Sequence, residues 1–522
     1  MQRVKGLALV LSFALACSSS PAPTNAGAGG EGPGEDKPDA SMRSPDTRPK
    51  DTQAPAEPDG PPAAVDLGPP REEILPEHPA TLPTPVAGTR LKMMISQPVD
   101  GPEVLRNWFD DLRKEPCGFQ WASDGVLRCL PLDSVGTFEP AFADATCTTP
   151  AIVRTMSSST CPGTPLLYVT TTRPSCPQMA VVAPLGEKLA VPTVYHRSGG
   201  ACVPRGAPLS ATQEAHAIGA EVPPAMFVAG KLSVGDAKGG RLAPVFVEGE
   251  DGSRAFRNWR DTTTGTDCYA GLATDGTVRC LPSSLAIDGF VRSDAACMVQ
   301  AITSPKSTCA DADQRVVAQQ ISSQCPSRVQ VSRLSGKVAG AFTSTGGQCS
   351  AAPVNDALDV WGVASSAVDP AIYAPLDFGV TGGNTRLRAR TEQTAAGAVM
   401  FAAYWDAKLH TRCSSTVAAD GVIRCLPNRL AAPIYFEDPA CAGTPGLVFV
   451  STGECLFGYV GKIESTCPPR GRVYALGAPY FGATYRVDAQ RGCIKVTANT
   501  GFQPYRVGAE LPPTDFVEVR RP

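Results

Sequence analysis

The most constant stretch of the chain reads Asp124-Gly125-Val126-Leu127-Arg128-Cys129-Leu130-Pro131. It recurs as Asp275-Gly276-Thr277-Val278-Arg279-Cys280-Leu281-Pro282 and as Asp420-Gly421-Val422-Ile423-Arg424-Cys425-Leu426-Pro427. An Asp-Gly pair between apolar flanks is typical of a hairpin turn, because both residues tolerate positive φ. Each copy therefore predicts a β-hairpin with the Asp-Gly pair at its tip.

The cysteines recur in step with this stretch. Eighteen of the 19 form three sets of six, and the first two members of each set are 12 residues apart. The sets are Cys117, Cys129, Cys147, Cys161, Cys176 and Cys202; Cys268, Cys280, Cys297, Cys309, Cys325 and Cys349; and Cys413, Cys425, Cys441, Cys455, Cys467 and Cys493. An even, repeated complement indicates disulfides and an oxidising compartment.

Of the pairings open to six cysteines, we expect the sequential one, first with second, third with fourth and fifth with sixth. A two-residue turn would place Cys117 opposite residue 132, three residues beyond Cys129. A bridge between the first two cysteines therefore requires a loop of about five residues or a bulge.

A longer repeat surrounds each cysteine set, with a period of 151 and then 145 residues. Each copy opens with an Arg-Leu pair, followed by a tryptophan and an aspartate. The first and third copies end alike, at Pro223-Pro224 and Pro512-Pro513, whereas the second has a degenerate ending near Gly362. We place the repeats at residues 87–236, 237–382 and 383–522.

Short runs rich in Val, Ile, Tyr, Phe and Thr, broken by Gly, Pro, Asp and Ser, predict an all-β fold. Three tandem disulfide-crosslinked repeats fit a six-bladed β-propeller in which each repeat supplies two blades. The alternative is a row of three separate small β-domains.

The N-terminal region indicates export. Residues 1–16 combine Arg3 and Lys5 with an apolar run, the layout of a secretory signal peptide. Ala14-Leu15-Ala16-Cys17 resembles the lipobox of bacterial lipoproteins, although that family prefers Leu where this chain has Ala14. The resemblance implies lipidation of Cys17, and Ser18 in place of Asp after the cysteine resembles the signal for an outer-membrane destination. The alternative is ordinary cleavage near Ala16, which leaves a free thiol.

Residues 17–86 predict a disordered tether. Between residues 18 and 85 there are 16 prolines, and 12 acidic against 5 basic side chains give a charge of −7. Such a segment buries too little apolar surface to offset its ordering entropy. The remainder of the chain is close to neutral and has no basic cluster, so we expect no nucleic-acid partner.

The sequence contains no catalytic motif that we recognise, and we expect no metal and no cofactor. The histidines His78, His196, His216 and His410 are interpreted as surface or loop residues. We interpret the repeated aspartates as residues that form turns and cap backbone amides, in preference to calcium ligands.

Two further sets of residues recur. Trp108, Trp259 and Trp405 are interpreted as core residues, with a binding face for glycan or peptide as the alternative. Arg128, Arg279 and Arg424 precede the second cysteines, and we expect them to form salt bridges with the repeated aspartates.

The pattern Trp-Asp…Cys…Asp-Gly-x-x-Arg-Cys-Leu-Pro, with a lipobox and a Pro-rich tether, resembles uncharacterised cysteine-repeat lipoproteins of the kind seen in myxobacteria. The resemblance covers the anchor region and residues 87–522, and it implies no reaction. We expect a lipid-anchored, exported, non-catalytic protein at the outer membrane or cell surface that binds protein or glycan. The alternative is an extracytoplasmic hydrolase or lyase whose carboxylates come from loops of several repeats.

Overall fold

The fold is built from β-strands and is known from a computed structural model. The structure describes residues 75–78, 82–132, 134–136, 141–155, 168–173, 179–198, 200–205, 208–209, 213–282, 289–306, 316–321, 327–345, 348–352, 354, 358–428, 433–451, 458–464, 468–488, 492–496 and 502–521. Cys17 and the fourth and fifth cysteines of every set lie outside these residues. The all-β prediction is confirmed for the described part of the chain.

The strands follow one another in chain order. In the first repeat they are β1 (Leu91–Pro98), β2 (Val104–Asp110), β3 (Glu115–Trp121), β4 (Leu127–Pro131), β5 (Ser134–Gly136), β6 (Ala141–Phe142), β7 (Pro150–Thr155), β8 (Tyr168–Arg173), β9 (Met179–Leu189), β10 (Tyr195–Ser198), β11 (Ala201–Pro204), β12 (Gln213–Ile218) and β13 (Ala229–Val234). In the second they are β14 (Leu242–Gly249), β15 (Arg254–Asp261), β16 (Thr266–Leu272), β17 (Val278–Pro282), β18 (Gly289–Arg292), β19 (Gln300–Pro305), β20 (Val316–Ile321), β21 (Arg328–Lys337), β22 (Phe342–Thr345), β23 (Gln348–Ala351), β24 (Leu358–Ala367) and β25 (Leu376–Thr381). In the third they are β26 (Leu387–Thr394), β27 (Val399–Asp406), β28 (Thr411–Val417), β29 (Ile423–Pro427), β30 (Leu447–Ser451), β31 (Tyr459–Glu464), β32 (Arg470–Pro479), β33 (Thr484–Asp488), β34 (Gly492–Val496), β35 (Phe502–Glu510) and β36 (Val519–Arg520). Short 3-10 helices lie at Pro224–Met226, Pro370–Ile372 and Pro513–Asp515.

Each repeat begins with a four-stranded antiparallel meander: β1–β4, β14–β17 and β26–β29. A second sheet follows within the repeat. Its strand order is β11-β10-β6-β7-β12-β9-β8-β5 in the first repeat and β20-β21-β24-β19-β18-β22-β23 in the second. The third repeat has β30-β35-β32-β31 and the hairpin β33-β34. The repeats therefore share one plan, a meander followed by a second sheet.

The last strand of each repeat joins its meander to the next one. Strand β13 pairs with both β4 and β14, so the first two meanders form part of one ten-stranded sheet. Strand β25 pairs with β26 and is bridged to β17 through Arg279 and Pro375. Strand β36 pairs with β1 and is bridged to β29 through Arg424 and Glu518. The third repeat thus contacts the first.

The expected six-bladed propeller is not found in the described residues. In a propeller each blade is a separate four-stranded sheet. Here the linking strands hydrogen-bond to the edge strands of two meanders and so join sheets that would have to be separate blades. Several sheets are present, which is consistent with multiple small β-domains, but the repeats are not separate, because strands β13 and β36 pair with strands of neighbouring repeats.

One face of each meander buries a cluster around the first disulfide of its repeat. In the first repeat this cluster contains Leu91, Trp108, Cys117, Cys129 and Val228. Corresponding clusters form around the Cys268 and Cys413 disulfides. The burial of a side chain such as Leu or Trp stabilises the fold by roughly 1.5–3 kcal/mol or more.

The predicted tether ends earlier than residue 86. Residues 75–78 and 82–86 are described, and both stretches pair with the body through the bridges Glu77–Val380 and Val86–Arg254. Within the described residues, no helix has the length and apolar character needed to cross a membrane.

Candidate functional site: the repeated charged residues

The hairpin tip explains how the first two cysteines meet. Ala122 and Val126 close a loop of three residues that ends at Gly125, whose φ is +77°. Gly276 and Gly421 have φ values of +81° and +80°. A left-handed glycine at the end of a three-residue loop is the geometry of a G1 bulge, so the expected bulge is present and the five-residue loop is not.

The first disulfide crosses the hairpin diagonally. Cys117 lies opposite Pro131 in the strand pairing, and its partner Cys129 is two residues away along β4. The Cα atoms of Cys117 and Cys129 are 5.2 Å apart, within the range of a disulfide. The same first-with-second pairing joins Cys268 to Cys280 and Cys413 to Cys425, as expected.

An arginine bonds to the aspartate at each hairpin tip, as predicted. Arg128 forms an ion pair with Asp124 at 2.8 Å, Arg279 with Asp275 at 2.6 Å and Arg424 with Asp420 at 2.8 Å. The hydrogen bond from Arg279 holds the pKa of Asp275 below its usual value. These aspartates therefore stabilise the turn.

The Arg-Leu pair that opens each repeat supplies a second ion pair. Arg90 Nε and Nη2 donate to the two carboxylate oxygens of Asp110 at 2.8 and 2.6 Å. Arg241 binds Asp261 and Arg386 binds Asp406 in the same two-bond geometry. The three aspartate side chains are only 1%, 3% and 0% exposed, so each depends on its arginine for charge compensation.

Both arginines of a repeat also bind its C-terminal end. In the first repeat, Arg90 donates to the carbonyl oxygen of Met226 and Arg128 to that of Phe227, each at 2.8 Å. The pairs of acceptors in the other repeats are Ile372 with Tyr373 and Asp515 with Phe516. The start, the hairpin tip and the end of every repeat are thereby held together.

The second repeat keeps the same ending although its closing sequence near Gly362 is degenerate. Pro370–Ile372 occupies the position of Pro224–Met226, and Arg241 and Arg279 donate to the carbonyl oxygens of Ile372 and Tyr373. The sequence signal was the similarity of Pro-Ala-Ile-Tyr to Pro-Ala-Met-Phe.

The calcium interpretation has no support in this geometry. Asp110 Oδ1 also accepts hydrogen bonds from the backbone amides of Leu112 and Arg113, and Asp124 Oδ1 accepts one from Val126. The described part of the chain contains no group of three or more His, Cys, Asp or Glu side chains that could hold a metal ion.

The expected third-with-fourth and fifth-with-sixth disulfides are both wrong. The structure joins third to sixth: Cys147 with Cys202, Cys297 with Cys349 and Cys441 with Cys493. The third cysteine sits in a tight turn with positive φ, 54° at Cys147, and the edge hairpin carrying the sixth cysteine lies beside that turn. The hydrogen bonds that Asp144 accepts from Thr146, Thr148 and Thr149 lower its pKa and hold this turn.

The tryptophans do not form a binding face. Trp108, Trp259 and Trp405 are 5%, 0% and 7% exposed, as the core interpretation expected. Trp405 is also not equivalent to the other two. Tyr404 lies opposite the first cysteine of its repeat, as Trp108 and Trp259 do, whereas Trp405 is shifted by one residue.

The interpretation of the histidines as surface or loop residues is wrong for His216, which lies within strand β12, whereas His78 lies outside the strands. His78 and His216 are buried, at 6% and 9% exposure. His216 contacts the carbonyl oxygen of Gly186 and the carboxylate of Glu214. His410 is exposed in a turn, as expected, and His196 is partly buried in β10.

Contacts between repeats depend on two aspartates that sequence reasoning missed. Asp251 Oδ2 accepts hydrogen bonds from the backbone amides of Arg90, at 3.1 Å, and Leu91, at 2.6 Å. Asp100 makes a related contact: its carboxylate Oδ2 accepts a hydrogen bond from the amide of Arg386 at 3.0 Å, and its backbone carbonyl oxygen accepts one from the amide of Leu387 at 3.1 Å. Both precede a glycine in the loop after the first strand of a repeat, which is the signal that could have identified them.

A shallow cleft lies between the meander and the second sheet of the third repeat. Ala418, Gly471, Glu510 and Phe516 contribute to its lining, and it encloses no space large enough for a water molecule. Small-molecule sites typically enclose roughly 300–1,000 Å³. This cleft therefore does not suggest a substrate pocket.

The fold and these bonds define an all-β repeat protein that is crosslinked by disulfides. The chain belongs to DUF7481, a family of unknown function, whose model matches residues 77–516. Neither the comparison with curated proteins nor the comparison with solved structures gives a significant match.

Proposed function

We propose that this protein is exported, anchored by a lipid on Cys17 at the outer membrane or cell surface, and non-catalytic, with a role in binding protein or glycan. The observation that carries the proposal is the repeated disulfide framework. It makes a rigid β body suited to the extracellular environment.

The disulfides support the location. Six are present in the described part of the chain, two in each repeat. They indicate an extracytoplasmic protein, because cytosolic thiols are kept reduced. Cys17 stands apart from the three sets and follows an apolar segment, which favours acylation and a Pro-rich tether between membrane and body.

The repeated residues have structural roles, so a binding role would depend on other side chains. The repeated arginines and aspartates are engaged in bonds that hold each repeat together, and the tryptophans are in the core. Partner contacts would then fall on side chains outside the repeated set. The candidates are Phe290 on strand β18 and Met298 and Phe481 in loops beside strands of the second sheets, which are 57%, 79% and 80% exposed.

Replacement of Cys17 by Ser tests the anchor. We expect wild type to fractionate with membranes and the Cys17→Ser variant to be released, while a Ser18→Ala control remains membrane-bound. If Cys17→Ser still sediments with membranes as wild type does, the anchor claim is wrong.

Binding needs a separate experiment. The full chain is labelled and applied to glycan arrays and to cross-linking on intact cells. We expect a captured glycan or protein whose signal falls with Phe481→Ser and Phe290→Ser but not with Leu112→Ser, which is exposed on a meander turn. Equal signals from all variants would contradict this assignment of the binding face.

A further inference from the structure

Residues 75–78 form a short strap on the edge of strand β25. The backbone amide of His78 donates to the carbonyl oxygen of Val380 at 2.7 Å, and the amide of Val380 donates to Pro76 at 2.9 Å. This is parallel β pairing, so the strap covers main-chain groups that would otherwise lie at a sheet edge.

The His78 ring packs into a site shaped for it. It lies over Gly379 and Thr391, which face one another across β25 and β26. Its Nδ1 is 2.8 Å from Thr391 Oγ1. A Cβ atom at Gly379 would overlap the ring, so only glycine leaves room for it.

The charged groups around the ring are few. Asp377, on β25, favours protonation of His78, and burial disfavours it. Glu77, beside His78 on the strap, is bonded to Arg388 and to the amide of Gly383. On β26 the neighbours of Thr391 are Arg390 and Glu392, which alternate to the opposite face of the strand.

We propose that the strap is an acid-released latch: protonation of His78 detaches residues 75–78 from strand β25. The site accommodates a neutral ring between a glycine backbone and a hydroxyl, and an added positive charge loses more solvation there than one carboxylate restores.

The direction of the pH dependence follows from the linkage between protonation of His78 and opening of the strap. Burial lowers the pKa of His78 in the closed strap relative to the open one. Opening is therefore favoured as pH falls below the ordinary histidine pKa and levels off below the closed-state pKa. The opening constant rises tenfold for each unit by which the two pKa values differ.

Release has two structural consequences. It exposes the edge of β25 at Val380, which can then pair with another strand. It also lengthens the segment that precedes the body, because the next pairing with the body is the bridge between Val86 and Arg254. The gain in reach rests on the proposed membrane anchor; the exposed edge does not.

Hydrogen exchange followed by mass spectrometry tests the latch on the full chain. Exchange of the His78 and Val380 amides is measured at about pH 7.5 and about pH 5 and corrected for intrinsic rates. We expect protection to fall several-fold or more at the lower pH in wild type. His78→Gln, which keeps a polar contact to Thr391 without titrating, should exchange at one corrected rate at both pH values.

His410→Gln is the matched control, since His410 is exposed and distant in sequence; it should behave as wild type. Constant protection in wild type across this range would overturn the latch, as would an equal loss of protection in His78→Gln. Neither result would contradict the proposed lipid anchor on Cys17, because lipidation is tested separately by membrane fractionation.

Discussion

The carboxylate oxygen Oδ2 of Asp251 lies 2.6 Å from the backbone nitrogen of Leu91, so the second repeat binds the strand that opens the first. Asp100 makes the corresponding contact to Leu387 through its backbone oxygen. With β36 paired to β1, these contacts link the third repeat back to the first. The stability of the body therefore depends on junctions between repeats as well as on each repeat.

Replacing Asp251 by Ala tests the junction. The amides of Arg90 and Leu91 would lose their acceptor, and an unsatisfied buried donor costs about 1–3 kcal/mol. We expect a loss of free energy of unfolding in that range, measured by chemical denaturation. Asp236→Ala, which removes a capping carboxylate in an exposed loop, should cost less than about 1 kcal/mol. Equal losses in the two variants would show that the contact between repeats is unimportant.

Replacing Arg90 by Met tests the ion pair at the start of the repeat. The side chain of Asp110 is 1% exposed and would keep a buried charge without its partner. We expect a loss of about 3 kcal/mol in free energy of unfolding. Lys114→Met breaks an exposed, solvent-screened pair with Asp111 and should cost much less than Arg90→Met. A loss below 1 kcal/mol for Arg90→Met would refute the structural role.

The two kinds of disulfide should differ in their contribution. Cys297–Cys349 closes a loop of 52 residues and Cys268–Cys280 a loop of 12. In the chain-entropy model these loops correspond to about 4 and about 3 kcal/mol. We expect the double Ser variant of the longer loop to have the lower unfolding midpoint. The opposite order would mean that burial of the Cys268 disulfide in its core cluster outweighs loop closure.

Glu392 predicts a pH dependence of stability. Burial raises its pKa, against the hydrogen bond from Trp259 Nε1 at 2.8 Å. A carboxyl with a raised folded-state pKa destabilises the fold when both states are ionised, and the penalty disappears as pH falls towards the unfolded pKa. Glu392→Gln should therefore raise the thermal midpoint at neutral pH, and this gain should shrink towards about pH 4. A gain that does not change with pH would contradict the assignment.

Features set by neighbouring residues were predictable from sequence. The Asp-Gly turn, the Arg128–Asp124 ion pair and the first disulfide involve groups within 12 residues of each other, and their chemistry is local. The Arg90–Asp110 pair was within reach, because the Arg-Leu pair and the aspartate both recur at fixed spacing.

Features set by the order of strands were not predictable. The third cysteine meets the sixth because β10 and β11 fold back beside β6, an arrangement that no local pattern encodes. Trp405 was misaligned because Tyr404 occupies the equivalent core position one residue earlier. The propeller was inferred from the number of repeats, which does not show that linking strands join neighbouring meanders.

Peptide mapping of the unreduced native protein by mass spectrometry tests the central claim, that each repeat is closed by its own crosslinks. The account predicts peptides joining Cys147 to Cys202, Cys297 to Cys349 and Cys441 to Cys493, together with the three short-range pairs. Peptides joining Cys147 to Cys161, or cysteines of different repeats, would contradict it.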